Sequence, residues 1–265
     1  MHARNILVAA VAIAALAGPS AATAAPQAGP RVRLAVFFER GGMLWQSSRT
    51  VAQTPGVAAT AIRAVFAGPN PPETAAGVGS AVPAGSRLRG ISVAGGTATI
   101  DVSRAFAAAG DRASVRMRVA QAVYTATQFP AIDHVRLEVA GTVVHSIAGT
   151  PVPQPAGRQS FYRLVPAILV ARPAIGERIP ATATVAGSAD VFEAALTVRI
   201  VNAKGRLLAL EHITASCGTG CRGTYTATLH YQIVRSQPGT VVIFDSGGTT
   251  AHPHVVRVPV RLTAS

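Results

Sequence analysis

The feature that most constrains this chain is a change in the period of its apolar residues, which falls at GTPVPQPAG, residues 149–157. Before that stretch both the two-residue repeat of strands and the 3.6-residue repeat of helices occur, and after it only the strand repeat remains. Unlike regimes in separate halves point to two domains of different class. Proline at every second position from Pro151 to Pro155 predicts an extended, semi-rigid spacer between them.

In the first half Val32, Leu34, Val36 and Phe38 alternate with Arg33 on the opposite side, which predicts a half-buried strand over 32–38, and 44–51 reads as a weaker second strand. Val57, Ile62, Val65 and Phe66 form the core-facing stripe of a helix, stopped by Gly68 and Pro69. LRGISVAGGTATIDVS, from residue 88, is two apolar runs joined by Ala94, Gly95 and Gly96, a hairpin signal. Ser114 is expected to cap a second helix with Val115, Val119, Ala122, Val123 and Ala126 at helical spacing, ended by Pro130. Residues 135–139 and 142–144, separated by Ala140 and Gly141, make a last hairpin. The order β, α, β, β, α, β, β implies an α+β domain with helices packed on one mixed sheet.

Residues 66–85, FAGPNPPETAAGVGSAVPAG, hold eight prolines and glycines and a single charge, Glu73. They connect a helix to a strand within that domain and are too long for a plain turn. Two readings are open. Glu73 accepts bonds from loop amides or an arginine while the prolines stiffen the connection, or the loop is a binding loop, with Gly68, Pro69, Glu73, Gly77, Pro83 and Gly85 lining a groove for a partner.

In the second half VFEAALTVRIV puts Phe192, Ala194, Leu196, Val198 and Ile200 on one face and Glu193, Thr197 and Arg199 on the other. HVVRVPVRL sends Val256, Val258, Val260 and Leu262 inward, and Pro259, which lacks a backbone donor, places that strand at a sheet edge. With 168–170, 182–186, 207–210, 223–231 and 240–245 there are about seven short strands in roughly a hundred residues, an all-β immunoglobulin-like sandwich without the cross-sheet cysteine pair. The expected layout is an α+β domain over 31–148, a Pro-rich linker over 149–163 and the sandwich over 164–265.

Residues 1–24 read as a secretory signal peptide, with Arg4, an apolar run over 6–17 and small residues at Ala22 and Ala24. The run is shorter than the roughly 20 residues of a spanning helix, and no cysteine follows it for lipid attachment. The protein is therefore expected in the cell envelope or outside the cell, unless the signal is kept as an anchor. There Cys217 and Cys221, in CGTGC, read as one disulfide closing a small loop, worth about 2 kcal/mol in the chain-entropy picture. A redox pair usually has two residues between its thiols in a strand-to-helix setting.

The chain has 24 basic and 11 acidic side chains, a formal charge of +13, and its only lysine is Lys204. Arginine bias in a GC-rich genome accounts for this, and so does attraction to an anionic envelope polymer or membrane surface. Nucleic acid is a poor partner for an exported chain with 5% aromatics and no arginine cluster.

AGPNPPETAAGVGSAVPAGSRLRGISVAGGTATIDVSRAF and AQAVYTATQFPAIDHVRLEVAG together resemble the GerMN domain, first described in bacterial spore germination proteins. Gly68, Pro69, Glu73, Gly77, Pro83, Gly85, Asp101, Ser103, Phe106, Gln121, Tyr124, Phe129 and Pro130 stand where that pattern has them, and the likeness covers most of residues 31–150. RPAIGERIPATATVAGSADVFEAALTVRIVNAKGRLL resembles the immunoglobulin-like domain of bacterial spore germination proteins, which often follows a GerMN domain. Gly187, Ala189, Phe192, Glu193 and Gly205 carry that likeness, supported by RGTY at 222–225 and the closing VRVPVRL. The resemblance implies exported, non-catalytic modules that bind ligands or build envelope assemblies, in bacteria that need not form spores. The CGTGC loop stands outside it.

Residues with reactive groups form no convincing catalytic set. Asp101 and Ser103 fall at a strand end, where such side chains commonly bond the local backbone. Asp133 and His134 are adjacent and face opposite sides. His252 and His254 in HPH can share a metal, with Asp245 or His230 conceivable beside them, but spacing places no third ligand. Gly77 and Gly79 lack the rest of a nucleotide fingerprint, and Tyr124 reads as a core-edge residue. The expectation is an exported two-domain binding or scaffold protein without catalytic, cofactor or metal site, whose partner is an envelope protein or cell-wall component. The rivals are an enzyme acting on cell-wall polymer through Asp101 and His254, and an electrostatic binder of anionic polymer. The sequence specifies no oligomeric state.

Overall fold

The computed structural model describes residues 29–247 and 254–264; the expected signal peptide and His252 lie outside the described residues. Gly41 and Gly42, at φ 62° and 79°, turn strand β1 (Arg31–Arg40) back onto β2 (Met43–Ala52) as an antiparallel hairpin. Two consecutive left-handed residues match the natural twist of a hairpin, and glycine adopts them without strain.

Helix α1 (Val57–Ala67) stops at Gly68, and a short helix α2 (Pro71–Ala75) follows. Strands β3 (Leu88–Ala94) and β4 (Thr97–Val102) form the hairpin expected around Gly95 and Gly96. Helix α3 (Arg112–Ala126) crosses over to β5 (His134–Val139), which pairs parallel to β4 and antiparallel to β6 (Thr142–Val143). The mixed sheet has the order β3-β4-β5-β6, while the β1–β2 hairpin forms a separate two-stranded sheet. The N-cap of α3 is Asp111, not Ser114: its side chain accepts a 2.7 Å bond from the Ser114 amide, so Ser114 is the residue being capped. The apolar stripe of α3 is buried, and so are Arg118, Gln121 and Thr125, because the helix is enclosed rather than lying on a surface.

GTPVPQPAG is built into the first domain instead of spanning a gap. Strands β7 (Ser146–Ile147) and β8 (Thr150–Pro151) pair, Val152 and Ala156 are buried, and Ala156 exchanges backbone bonds of 2.8 and 2.9 Å with Val135. The Gln154 side chain fastens the stretch further, accepting from Leu137 N and donating to Val144 O. Alternating prolines fit this role because they leave few donors in need of partners.

The second domain is a β-sandwich. One sheet has the order β14-β11-β9, from β9 (Ile168–Arg172), β11 (Thr182–Ala189) and β14 (Gly223–His230). The other, β10-β16-β15-β12-β13, is built from β10 (Arg178–Ile179), β12 (Ala195–Asn202), β13 (Leu207–Thr214), β15 (Gln237–Asp245) and β16 (Val255–Leu262). Strict alternation in β14 buries Tyr225, Ala227 and Leu229 and exposes the threonines between them. Cys217 and Cys221 form the expected disulfide, Cα atoms 5.8 Å apart, in the β13–β14 connection.

Two details depart from the sequence reading. Phe192 is 53% exposed: residues 192–194 make a short turn with Glu193 and Ala194 at positive φ, and Val191 is buried in its place. Pro259 is not in the outermost strand, since β10 lies beyond β16, but β10 pairs only with Arg261 and Leu262, and Pro259 gives its carbonyl to Gly176 N.

The hairpin β1–β2 joins the two halves. Val36, Phe38 and Trp45 belong to the core that continues through Ile168, Val170 and Leu196 of the sandwich, whereas Phe37 and Leu44 belong to the core around α3 and the mixed sheet. Alternation predicted one wet face for β1. Both faces are dry over residues 36–38, because the second domain covers the side that a lone α+β domain would expose.

Candidate functional site

The Pro- and Gly-rich loop is ordered by its one charge. Asn70 and Glu73 form a reciprocal capping box on α2: Glu73 N donates to Asn70 Oδ1 at 3.0 Å, and Asn70 N to Glu73 Oε2 at 2.7 Å. Arg49 of β2 donates to both carboxylate oxygens at 2.7 and 2.8 Å. Burial works against charge on Glu73, but the Arg49 guanidinium and the Asn70 amide outweigh it, and its pKa lies below the usual glutamate range. Glu73 is 1% exposed, so its side chain faces inward; Gly77 and Gly85 are exposed and Pro83 is half-buried.

Beyond α2 the loop adds a rung to β1 through Glu39 and Gly79, with N–H to O distances of 2.9 and 2.8 Å. Gln121, wholly buried on α3, accepts from Ala81 N at 2.8 Å and donates to Phe37 O and Ser80 Oγ at 3.2 Å. Val78 joins the sandwich core, and Pro72 lies against Gly176 of the second domain. The stretch is thus a rigid joint on which the second domain rests.

The other motif positions are divided among structural bonds. Asp101 accepts from Gly141 N and Arg89 Nε, both at 2.9 Å, which hold its pKa below the aspartate range against the effect of burial. Ser103 Oγ accepts from Arg87 N at 3.0 Å. Phe106 is fully buried, and its carbonyl accepts from buried Arg118 at 2.7 Å. Tyr124 stacks edge-on against Phe37, centroids 5.4 Å apart, and donates to Arg158 O at 3.1 Å. Phe129 is half-buried at the end of α3's exit turn, and Glu193 and Phe192 are exposed on the sandwich. His134 begins β5 beside Asp133, which bonds the Gly96 carbonyl through its amide. His254 Nδ1 lies 3.1 Å from Asp245 Oδ2, which brings two of the residues named as metal candidates together, while His230 pairs with Thr182 and His252 lies outside the described residues. No group of three metal-ligating side chains occurs among the described residues, and no helix among them is long and apolar enough to cross a membrane.

The site that both domains build together lies along the hairpin seam. A groove of about 580 Å³ runs between Gln46 on β2, Gln128 and Arg158 of the first domain, and Ser188, Tyr225 and Thr226 of the second. It continues into a recess of about 190 Å³ reaching Arg33, Ser48 and Arg172. Gln128 fixes the wall, accepting from Ala35 N at 2.8 Å and donating to Ala35 O and Thr125 O at 2.7 Å. Arg33 and Glu177 close the far end across the domain boundary, at 3.1 and 2.8 Å. Burial raises the pKa of Tyr225, whose hydroxyl donates to Leu169 O, so it stays neutral. Gln46, Gln128, Arg158, Ser188 and Thr226 carry no sequence signal, because their partners are far away along the chain: Gln128 and Ala35 are 93 residues apart.

The profile of the family Germane, "Sporulation and spore germination", matches residues 36–145, and that of Gmad2, "Immunoglobulin-like domain of bacterial spore germination", matches residues 167–249. Neither is a family of known enzymes. Among solved structures, the first GerMN domain of the sporulation protein GerM from Bacillus subtilis is similar at 21% identity over 48% of this chain and 98% of that one, with a TM-score of 0.42. The tandem GerMN domains of the same protein are similar at 14% identity over 88% of this chain and 61% of that one, with a TM-score of 0.44. No curated protein matches the chain.

Proposed function

We propose that this chain, a Germane domain followed by the immunoglobulin-like domain of bacterial spore germination, works outside the cytoplasm as a rigid two-domain binding scaffold of the cell envelope and carries out no covalent chemistry. The observation that supports this most is the divided hairpin: Phe38 and Trp45 enter the sandwich core while Phe37 and Leu44, their immediate neighbours in β1 and β2, enter the other. Such packing fixes the two domains as one surface rather than two tethered modules. The acidic side chains fit the same reading, because Glu73, Asp101, Asp111 and Glu177 are all held by amides or arginines that keep them ionised and engaged.

Photo-crosslinking from groove positions in living cells, with mass-spectrometric identification of neighbours, tests the proposal. Recovery of an envelope protein or cell-wall polymer is expected. Release of soluble fragments from cell-wall polymer by the purified protein, lost in Asp101→Ala or His254→Ala, would establish the enzyme instead.

A further inference from the structure

The groove at the domain seam has polar capacity that the fold itself does not use. The Gln46 amide makes no side-chain hydrogen bond among the described residues, and Ser48 Oγ, two residues along β2, is buried without a partner where the recess begins. From the opposite wall Thr226 on β14 adds a hydroxyl, and Ser188 on β11 adds one whose oxygen accepts from Arg222 Nη1 at 3.3 Å and whose proton is left to donate. Phe37 and Tyr225 lie beneath the floor and are almost wholly buried. Arg158 stands at one end, its guanidinium 5.0 Å from the Tyr124 ring centre and 5.8 Å from that of Phe37, donating to Thr127 Oγ1 at 2.8 Å. Arg172 stands at the other end. Neither arginine pairs with a carboxylate among the described residues.

Amide and hydroxyl groups along an open groove, with guanidinium groups that lack a carboxylate partner at its ends, match one ligand chemistry. Sugar hydroxyls exchange hydrogen bonds with such amides and alcohols, and an acidic substituent takes charge-assisted bonds from arginine. A volume of about 580 Å³ is within the range of about 300–1,000 Å³ typical of ligand clefts. The walls at Ala35 and Ala171 are small, leaving room for a chain.

We propose that this groove binds a segment of an acidic saccharide, with its hydroxyls on Gln46, Ser188 and Thr226 and its carboxylate or phosphate on Arg158. The assignment rests on the reading of the chain as an envelope binding scaffold and gives that scaffold a ligand class.

The test is calorimetric titration of the full chain with tetragalacturonate, a phosphate-linked hexose oligomer, neutral cellotetraose and inorganic tripolyphosphate. An acidic, hydroxyl-bearing chain should bind about tenfold better than cellotetraose, the contribution of one or two charge-assisted bonds. Whether the galacturonate or the phosphate-linked hexose oligomer binds identifies which anion the site takes. Arg158→Ala should weaken binding about tenfold and Gln46→Ala about threefold, while Arg206→Ala, an exposed arginine in the β12–β13 turn, should leave it unchanged. Thr226→Val serves as a third probe if Arg158→Ala fails to fold. Equal binding of tripolyphosphate, equal loss in Arg206→Ala, or no saccharide binding overturns the assignment. If saccharides fail while crosslinking in cells still recovers envelope neighbours, the saccharide assignment falls and the scaffold stands.

Discussion

Arg49 on β2 grips both carboxylate oxygens of Glu73, 24 residues away, at 2.7 and 2.8 Å, and so fixes the turn at which the sequence is richest in proline and glycine. The Glu73 side chain keeps 2% of its surface in solvent and that of Arg49 keeps 21%. Removing one partner of such a pair leaves the other charge poorly compensated. Glu73→Ala should lower unfolding stability by about 3 kcal/mol, the low end for a buried pair because Arg49 reaches water, as read from urea denaturation.

The same pair predicts an acid dependence. The folded pKa of Glu73 is depressed, so its contribution is present above the unfolded value, about pH 4.3, and is lost as pH falls through the lower folded value. Glu73→Gln should therefore flatten the stability profile below about pH 4.3. Asp101, Asp111 and Glu177 shift in the same direction and keep part of the slope. Urea midpoints measured from pH 6 downward check this; an unchanged slope in the variant would contradict it.

Gly187 is needed for space, not for an unusual φ. A Cβ there would collide with the Leu169 carbonyl and lie 2.6 Å from the Tyr225 hydroxyl, at the bulge between β9 and β11. Gly187→Ala should destabilise the chain by about 3 kcal/mol, since the obstructing atom is backbone. Thermal unfolding measures the loss, and Tyr225→Phe in the same background should recover only a small part of it.

Gln121 holds three segments at once through Ala81 N, Phe37 O and Ser80 Oγ. Gln121→Ala leaves buried backbone groups without partners, at about 1–3 kcal/mol each. A total loss of about 2–3 kcal/mol is expected, with faster hydrogen exchange at the Ala81 amide than at amides of the sandwich. Uniform acceleration over both domains would instead mean a global effect.

Periodicity made the elements legible, because each strand or helix records its own buried face. Strand β14 and the α3 stripe were readable for that reason, as was the turn at Gly95 and Gly96. What periodicity cannot record is a second layer covering the opposite face, and this is why β1 reads as half-wet although Phe37 is as dry as Phe38. Local competition was also invisible: Asp111 and Ser114 are both good capping residues, and only their geometry decides between them. The Gln46, Gln128 and Arg158 groove needs three distant segments brought together, which no single-sequence pattern encodes.

A shared core also predicts how the chain unfolds. Trp45 is the only tryptophan, and it sits in the sandwich core although β2 belongs to the first domain. If the domains unfold as one unit, its fluorescence reports the same urea transition as far-ultraviolet circular dichroism, which sees both domains. Phe38→Ala removes a fully buried ring from the seam and should cost about 3–5 kcal/mol, shifting both signals together. Two separated transitions in the parent chain, or a shift confined to one signal, would show that the hairpin does not couple the domains.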